Sequence, residues 1–249
     1  MATKQRLDKL VLEKFPHLTR NQVQSFIMQG KVKVDGKIVL KSGQLIDELL
    51  PLSLDEEIPK YVCRAGFKLE EALAFFEIDV RNLVVMDAGL STGGFTDCLL
   101  QNGAQRVYGV DVGYGQVHEK IRVDPRVVVM ERTNLRYVES LPEKVDLVTL
   151  DLSFISVLKV MDAVCAVMKD TARLVVLIKP QFEARQDQVG KGGLIKDPAV
   201  HQEVIERVVN GITQKGFIYH GTTESPITGT TGNKEFLGYF SRAQLIDKQ

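Results

Sequence analysis

Val84-Val85-Met86-Asp87-Ala88-Gly89-Leu90-Ser91-Thr92-Gly93-Gly94-Phe95 reads as a buried strand that ends in an acid, turns through glycines and opens a helix. The apolar residues from Leu83 to Met86 have the β-branched weight of a parallel strand covered on both faces. Gly89, Gly93 and Gly94 allow the backbone to approach a ligand closely, and Ser91 or Thr92 is placed to cap the helix that Phe95 enters. Such a turn puts a ligand at the carboxyl end of the first strand of an open α/β sheet.

A nicotinamide dinucleotide asks for G-x-G-x-x-G and seats its pyrophosphate on the helix start. Here three residues separate Gly89 from Gly93-Gly94, and Asp87 would repel a phosphate. A carboxylate suits a cationic ligand without phosphate, and S-adenosylmethionine, with its ammonium and sulfonium, is one. The next strand, Arg106 to Val110, ends in Asp111, placed to accept both hydroxyls of an adenosine ribose. Asn134 and Asp151, further along the same rim, complete the expected cofactor set.

The chain has 249 residues, enough for one large domain or a large and a small one, and its 32 basic side chains balance 32 acidic ones. The balance hides an asymmetry. Residues 1–46 hold nine basic side chains against Asp8, Glu13 and Asp35, a surplus of six, and 47–57 is acidic. A basic amino-terminal module on a neutral body points to a nucleic-acid partner. Cys63, Cys98 and Cys165 are scattered, without metal spacing, and read as reduced thiols of a cytoplasmic protein. The four histidines show no ligand spacing, so no metal is expected. No apolar run reaches membrane-span length, the charged start is not a signal-peptide pattern, and nothing in the composition specifies an oligomeric state.

Leu7, Leu10, Val11 and Phe15 recur at helical spacing over residues 5–15, and Pro16 ends the run. A second helix is predicted with Thr19 as N-cap and Val23, Phe26 and Ile27 inward, closed by Gly30. Lys31 to Val39 reads as a hairpin turning at Asp35-Gly36, and residues 47–60, with Pro51, Pro59 and an acidic run, as a linker. Arg6-Leu7-Asp8, Thr19-Arg20, Gly30-Lys31-Val32, Val34-Asp35-Gly36 and Lys41 closely resemble the small RNA-binding domain named after ribosomal protein S4. The resemblance implies a basic surface for structured RNA in which Arg6, Arg20, Gln24, Lys31, Lys33 and Lys41 face phosphates, joined by Arg64 beyond the linker.

From Tyr61 the chain leads into a helix through Leu73 and Phe76, with Lys68 oddly placed on an apolar face. Strands are predicted at 83–87, 107–111, 127–131, 145–151 and 173–178, with helices near 94–102, 155–168 and 198–214. Two antiparallel strands, 217–223 and 236–241, close the sheet. Asp151, Lys179 and Glu235 stand at strand ends, on the rim where such folds place chemistry; a bland salt-bridge network is the competing reading.

The blocks Asp87–Asp97, Val110–Gln116, Glu131–Asn134, Asp151–Ser156, Lys179–Glu183 and Gly190–Gly193 resemble the haemolysin A (TlyA) proteins over nearly the whole chain. The resemblance implies S-adenosylmethionine-dependent methylation of cytidine ribose 2'-hydroxyls in ribosomal RNA or ribosomal subunits, by an FtsJ-like domain. It implies a mostly parallel seven-stranded Rossmann-like sheet with an antiparallel last strand over 59–249, preceded by the small α+β RNA-binding domain and linker of 1–58. It also implies a catalytic set of Lys68, Asp151, Lys179 and Glu235, the last with the weakest match in its flanks. Leu90 departs from the small residue expected in the turn. A ribose hydroxyl must lose its proton as it attacks, and a lysine serves as base only where burial or a neighbouring cation favours its neutral form. Lys68 beside Lys179 would be that neighbour, with Asp151 holding both ammoniums. Alignment of hydroxyl oxygen, methyl carbon and sulfur would supply much of the rate. Two other classes compete: a non-catalytic RNA-binding assembly factor, which would need this set degraded, and a membrane-lytic toxin, which would need a long apolar or strongly amphipathic segment.

Overall fold

The computed structural model describes residues 4–28, 30–55, 59–229 and 231–243. The chain divides into two compact units, Met1–Pro59 and Lys60–Gln249.

The first unit runs β1 (Lys4–Arg6), α1 (Leu7–Lys14), α2 (Arg20–Met28), β2 (Val32–Val34), β3 (Lys37–Ile38), β4 (Leu45–Asp47) and β5 (Leu52–Leu54). Thr19 starts α2 with a reciprocal cap: its N–H donates to Gln22 Oε1 (2.8 Å), and the Gln22 N–H donates to Thr19 Oγ1 (3.3 Å). Asp35 and Gly36 both have positive φ, 49° and 74°, the backbone a two-residue hairpin turn needs. The expected helix over 5–15 is shorter, because Lys4–Arg6 pair antiparallel with Leu45–Asp47. The first free N–H groups of α1, those of Leu7 and Asp8, are satisfied by the Gln44 and Ser42 carbonyls (2.9 and 3.0 Å). The expected linker also gives way. Leu52–Leu54 pair with β2, and Leu52 and Leu54 pack on a core of Leu7, Val11, Val23, Phe26, Ile27 and Val32. Residues 56–58 of that linker lie outside the described residues.

The second unit continues with α3 (Ala65–Phe75), β6 (Val84–Ala88), α4 (Gly94–Gln101), β7 (Arg106–Val110), α5 (Glu119–Arg122), β8 (Val127–Met130), β9 (Val145–Leu150), α6 (Met161–Val167), β10 (Met168–Ile178), α7 (Pro180–Glu183), α8 (Pro198–Thr213), β11 (Phe217–Glu224) and β12 (Phe236–Arg242). The seven strands lie in the order β11-β12-β10-β9-β6-β7-β8. β6 to β10 pair in parallel, and β12 runs antiparallel to both β10 and β11.

The continuous apolar runs follow from burial on both faces. Val84, Met86 and Ala88 point to one core with Leu174, Val176 and Ile178, under α6 and α8; Val85 points to the other with Val175 and Leu177, under α3 and α4. The helix expected over 155–168 begins late: a 3₁₀ turn covers Val157–Val160 and α6 only Met161–Val167. Its start is set by two side chains. Ser156 Oγ accepts from the Leu158 N–H (3.3 Å), and the buried Glu183 carboxylate accepts from the Val157 N–H (2.7 Å).

Candidate active site

Register brings the strand ends together. Ala88 pairs with Leu150, so Gly89 and Asp151 leave neighbouring strands side by side, and the Asp151 N–H donates to the Ala88 carbonyl (2.9 Å). Gly89 has φ 91°, and a Cβ there would lie 2.2 Å from the Asp151 carbonyl oxygen. The glycine is therefore demanded by the protein's own backbone.

A cavity of about 470 Å³ opens at this rim, lined by Gly89, Ser91, Asp111, Asn134 and Asp151, with Leu135, Leu152, Ile155 and Val160 as its apolar wall. Asp111 is held by two backbone donors: the Ser91 N–H to Oδ2 and the Gly113 N–H to Oδ1, each at 2.7 Å. Ser91 adopts φ 48° to make its bond. The Asn134 side chain accepts from the Arg136 N–H (3.1 Å) and caps the 3₁₀ turn Leu135–Tyr137.

The other expected cofactor residues, Asp87, Thr92, Gly93, Gly94 and Phe95, are not in the cavity lining. A Cβ on Gly93 would meet the Ile121 side chain at 2.8 Å, and one on Gly94 would meet Cys63 Sγ at 2.6 Å and the Gly66 nitrogen at 2.9 Å. These glycines let α4 seat against α5 and α3. Neither Ser91 nor Thr92 caps α4; its N-cap is Gly93, at φ 100° with no side-chain bond. Asp87 is fully buried and accepts from Thr96 Oγ1 (2.6 Å) on α4 and Thr149 Oγ1 (2.9 Å) on β9. Burial pushes its carboxyl up to about 6, against the pull of the two hydroxyls. Asp87 thus ties the turn together from below. Leu90, the unexpected residue of the turn, is buried against Gly109, where a Cβ would come within 2.7 Å of it.

Lys68, Asp151, Lys179 and Glu235 come from four separate places: α3, the end of β9, the end of β10 and the start of β12. The antiparallel strand is what gathers them. Phe236 pairs with Ile178, so the beginning of β12 lies beside the end of β10. The four form two ion pairs: Lys68 Nζ to Glu235 Oε2 at 2.5 Å and Lys179 Nζ to Asp151 Oδ1 at 2.6 Å. Each ammonium thus has its own carboxylate, which corrects the expectation that Asp151 gathers both. Lys68, Lys179 and Glu235 are all buried, and only such pairing makes burial of their charges tolerable.

Several residues that sequence reasoning did not single out complete the site. Ser153 Oγ accepts from Lys179 Nζ (3.0 Å), and Gln181 Nε2 donates to Glu235 Oε1 (3.4 Å). Both stand inside motif blocks, beside the charged residues that drew attention. Phe154 lines the cavity at φ 65°; the residue is 90 % exposed, and its ring centre lies 5.1 Å from that of Phe182. A bulky residue in that backbone region is strained, and strain of this kind gathers at working sites.

In the first unit, Arg20 and Gln24 stand one turn apart on α2, and Lys33 and Lys41 are exposed. The Lys31 ammonium lies 5.8 Å from the centre of the Phe26 ring. Arg6 is engaged by buried Asp8 through two bonds, Nε to Oδ1 at 3.0 Å and a second guanidinium nitrogen to Oδ2 at 2.8 Å. That guanidinium holds the Asp8 carboxyl below its usual range. Arg64, in the second unit, is exposed at the N-terminus of α3.

Residues 61–242 match the FtsJ-like methyltransferase family, and residues 5–48 match the S4 domain. The Bacillus subtilis protein YqxC is 43% identical over 242 residues, covering 95% of this chain and 85% of its own. The 16S/23S rRNA (cytidine-2'-O)-methyltransferase TlyA of Mycobacterium tuberculosis is 38% identical over 240 residues, covering 95% of this chain and 90% of its own. A solved structure from Streptococcus thermophilus, described as a hemolysin, is 39% identical with a TM-score of 0.75, covering 98% of this chain and 90% of that one.

Proposed function

The chain belongs to the FtsJ-like methyltransferases, in their S4-bearing TlyA/hemolysin A group, and on that premise we propose that it methylates the ribose 2'-hydroxyl of a cytidine in ribosomal RNA, using S-adenosylmethionine. The observation that carries this reading is the meeting of Lys68, Asp151, Lys179 and Glu235 as two ion pairs on the rim of the cavity that Asp151 also lines.

The cavity fits the cofactor by its donor set. The Asp111 carboxylate, steadied by two N–H groups, suits a ribose diol, and Leu135, Ile155 and Val160 offer an apolar wall to a purine. S-adenosylmethionine bound there supplies an electrophilic methyl group. Once its ammonium has lost a proton, Lys179 takes the proton of the hydroxyl as the oxygen bonds the methyl carbon and the carbon–sulfur bond breaks; Asp151 and Ser153 hold its nitrogen in place. Lys68, held in place by Glu235, directs its ammonium to the developing alkoxide. Phe154 offers an exposed ring at the mouth on which a base of the RNA can stack. The S4 unit supplies affinity, with Arg20, Gln24, Lys31, Lys33 and Lys41 as phosphate contacts; Arg6 reaches RNA with a guanidinium already braced by Asp8.

The test is single-turnover methylation of a ribosomal RNA fragment by Lys179 variants. Lys179→Ala abolishes transfer while cofactor and RNA still bind, because the lost interaction belongs to the transition state. Lys179→Arg fails as well, since a guanidinium keeps its proton at any working pH. A near-normal rate for the arginine variant would show that position 179 supplies only charge.

A further inference from the structure

Asn233 lies in an irregular segment two residues before Glu235, yet it is only 1 % exposed. A buried amide is costly unless its hydrogen-bonding groups are satisfied, and these are. Nδ2 donates to the Gly193 carbonyl (2.9 Å) and to Thr231 Oγ1 (3.0 Å), and Oδ1 accepts from the Ile195 N–H (2.9 Å). Its own carbonyl accepts from the Gly229 N–H (2.9 Å). The Ile195 carbonyl, in turn, bonds His201 Nε2 on α8 at 3.1 Å.

These contacts join two segments that are each connected in sequence to a member of the tetrad. Residues 190–195 follow the strand end that bears Lys179, by way of α7. Residues 231–233 precede Glu235 by one residue, Lys234. Loops of glycine, lysine and threonine have no periodic apolar face to order them, so here a side chain provides the order. The fit around Glu235 is close. A Cβ on Gly229 would lie 2.5 Å from Glu235 Oε1, while Oε2 is 2.5 Å from Lys68 Nζ.

We propose that Asn233 is a positioning residue for the methyl transfer: it fixes the segment that carries Glu235, and through that carboxylate it sets where the Lys68 ammonium stands. The inference rests on the catalytic reading of the tetrad. Asn233 does not line the cofactor cavity, and among the described residues its side-chain hydrogen bonds go to Gly193, Ile195 and Thr231 and to no tetrad side chain, so it acts through the segments it holds.

A double-mutant cycle in the full-length protein tests it, with single-turnover methylation of a ribosomal RNA fragment at saturating cofactor and RNA. Asn233→Ala lowers the rate about 100-fold, the scale of a displacement near 1 Å at a reacting centre. Cofactor and RNA affinities, measured separately, stay at wild-type values. In the Glu235→Gln background the same substitution produces no further loss, because the group it positions is gone. Losses that multiply, or an Asn233→Ala rate equal to wild type, overturn the inference. Should Asn233→Ala not fold, Asn233→Asp takes its place in the cycle, since it keeps the acceptor for the Ile195 N–H and removes the Nδ2 donor to Gly193 and Thr231; multiplying losses there are equally fatal. A wild-type rate for Glu235→Gln alone brings down the reading of the tetrad, and this inference with it. An inactive Glu235→Gln beside an active Asn233→Ala brings down this inference only.

Discussion

Burial raises the Asp87 carboxyl from 3.8 to about 6, while Thr96 and Thr149 pull it back. Between those values the folded protein holds a proton on Asp87 that the unfolded chain has released. This contribution to stability is therefore complete below about pH 4 and is lost as pH rises through about 6. At about 1.4 kcal/mol for each tenfold change in proton affinity, it amounts to roughly 3 kcal/mol. Asp87→Asn keeps an acceptor for the threonines and removes the titration. The difference in unfolding free energy, wild type minus variant, should fall by roughly that amount between pH 4 and pH 7 in denaturant titrations. A difference that stays flat over this range would place Asp87 among ordinary carboxylates. The residue reads in sequence as a ligand for a cationic cofactor; its burial makes it a brace between β6, β9 and α4.

At the level of elements, the site depends on how tightly β6 and β9 close at their carboxyl ends. Gly89→Ala would force a Cβ to within 2.2 Å of a backbone oxygen, which cannot turn aside as a side chain tip could. It also asks alanine to adopt φ 91°. Overpacking and backbone strain together should cost about 3 kcal/mol or more. Calorimetric titration should show cofactor affinity falling with it, since Gly89 lines the cavity. Gly115→Ala is the control: φ 73°, with nothing within 4 Å of its Cβ, so only the backbone cost applies. Equal melting temperatures for the two variants would mean that the strand ends part without penalty. A loosely held rim would also leave Lys179 and Asp151 without fixed geometry.

For the whole molecule, the two units have separate cores, one around Leu7, Val23 and Ile27 and the others on the two faces of the seven-stranded sheet. We expect the fragment from Lys60 onwards to bind S-adenosylmethionine with unchanged affinity. It should bind ribosomal RNA more weakly, and with a flatter dependence on salt, because each lost phosphate contact removes about 0.7–0.9 from the logarithmic salt slope. Filter binding over a range of salt concentrations measures both effects. Full RNA affinity in the fragment would reduce the basic residues of the first unit to a solvated surface. No helix among the described residues is long and apolar enough to cross a membrane.

Local chemistry carries most of the fold. Val84–Phe95 announce strand, turn and helix through hydrophobicity and glycine placement, Thr19 announces a cap, and Asp35-Gly36 a hairpin, because each signal acts within a few residues. The short strands are silent in sequence: Leu52-Ser53-Leu54 is too brief to show a period, and only the backbone of β2 makes it a strand. The site divides in the same way. Its charged members stand at recognisable strand ends and in a family motif, but which ammonium pairs with which carboxylate depends on contacts such as Lys68–Glu235, 167 residues apart. That pairing follows from the insertion of β12, antiparallel, between β10 and β11. Side-chain periodicity says which residues face inward; the neighbours they meet there are decided by strand order and register, which are properties of the assembled sheet.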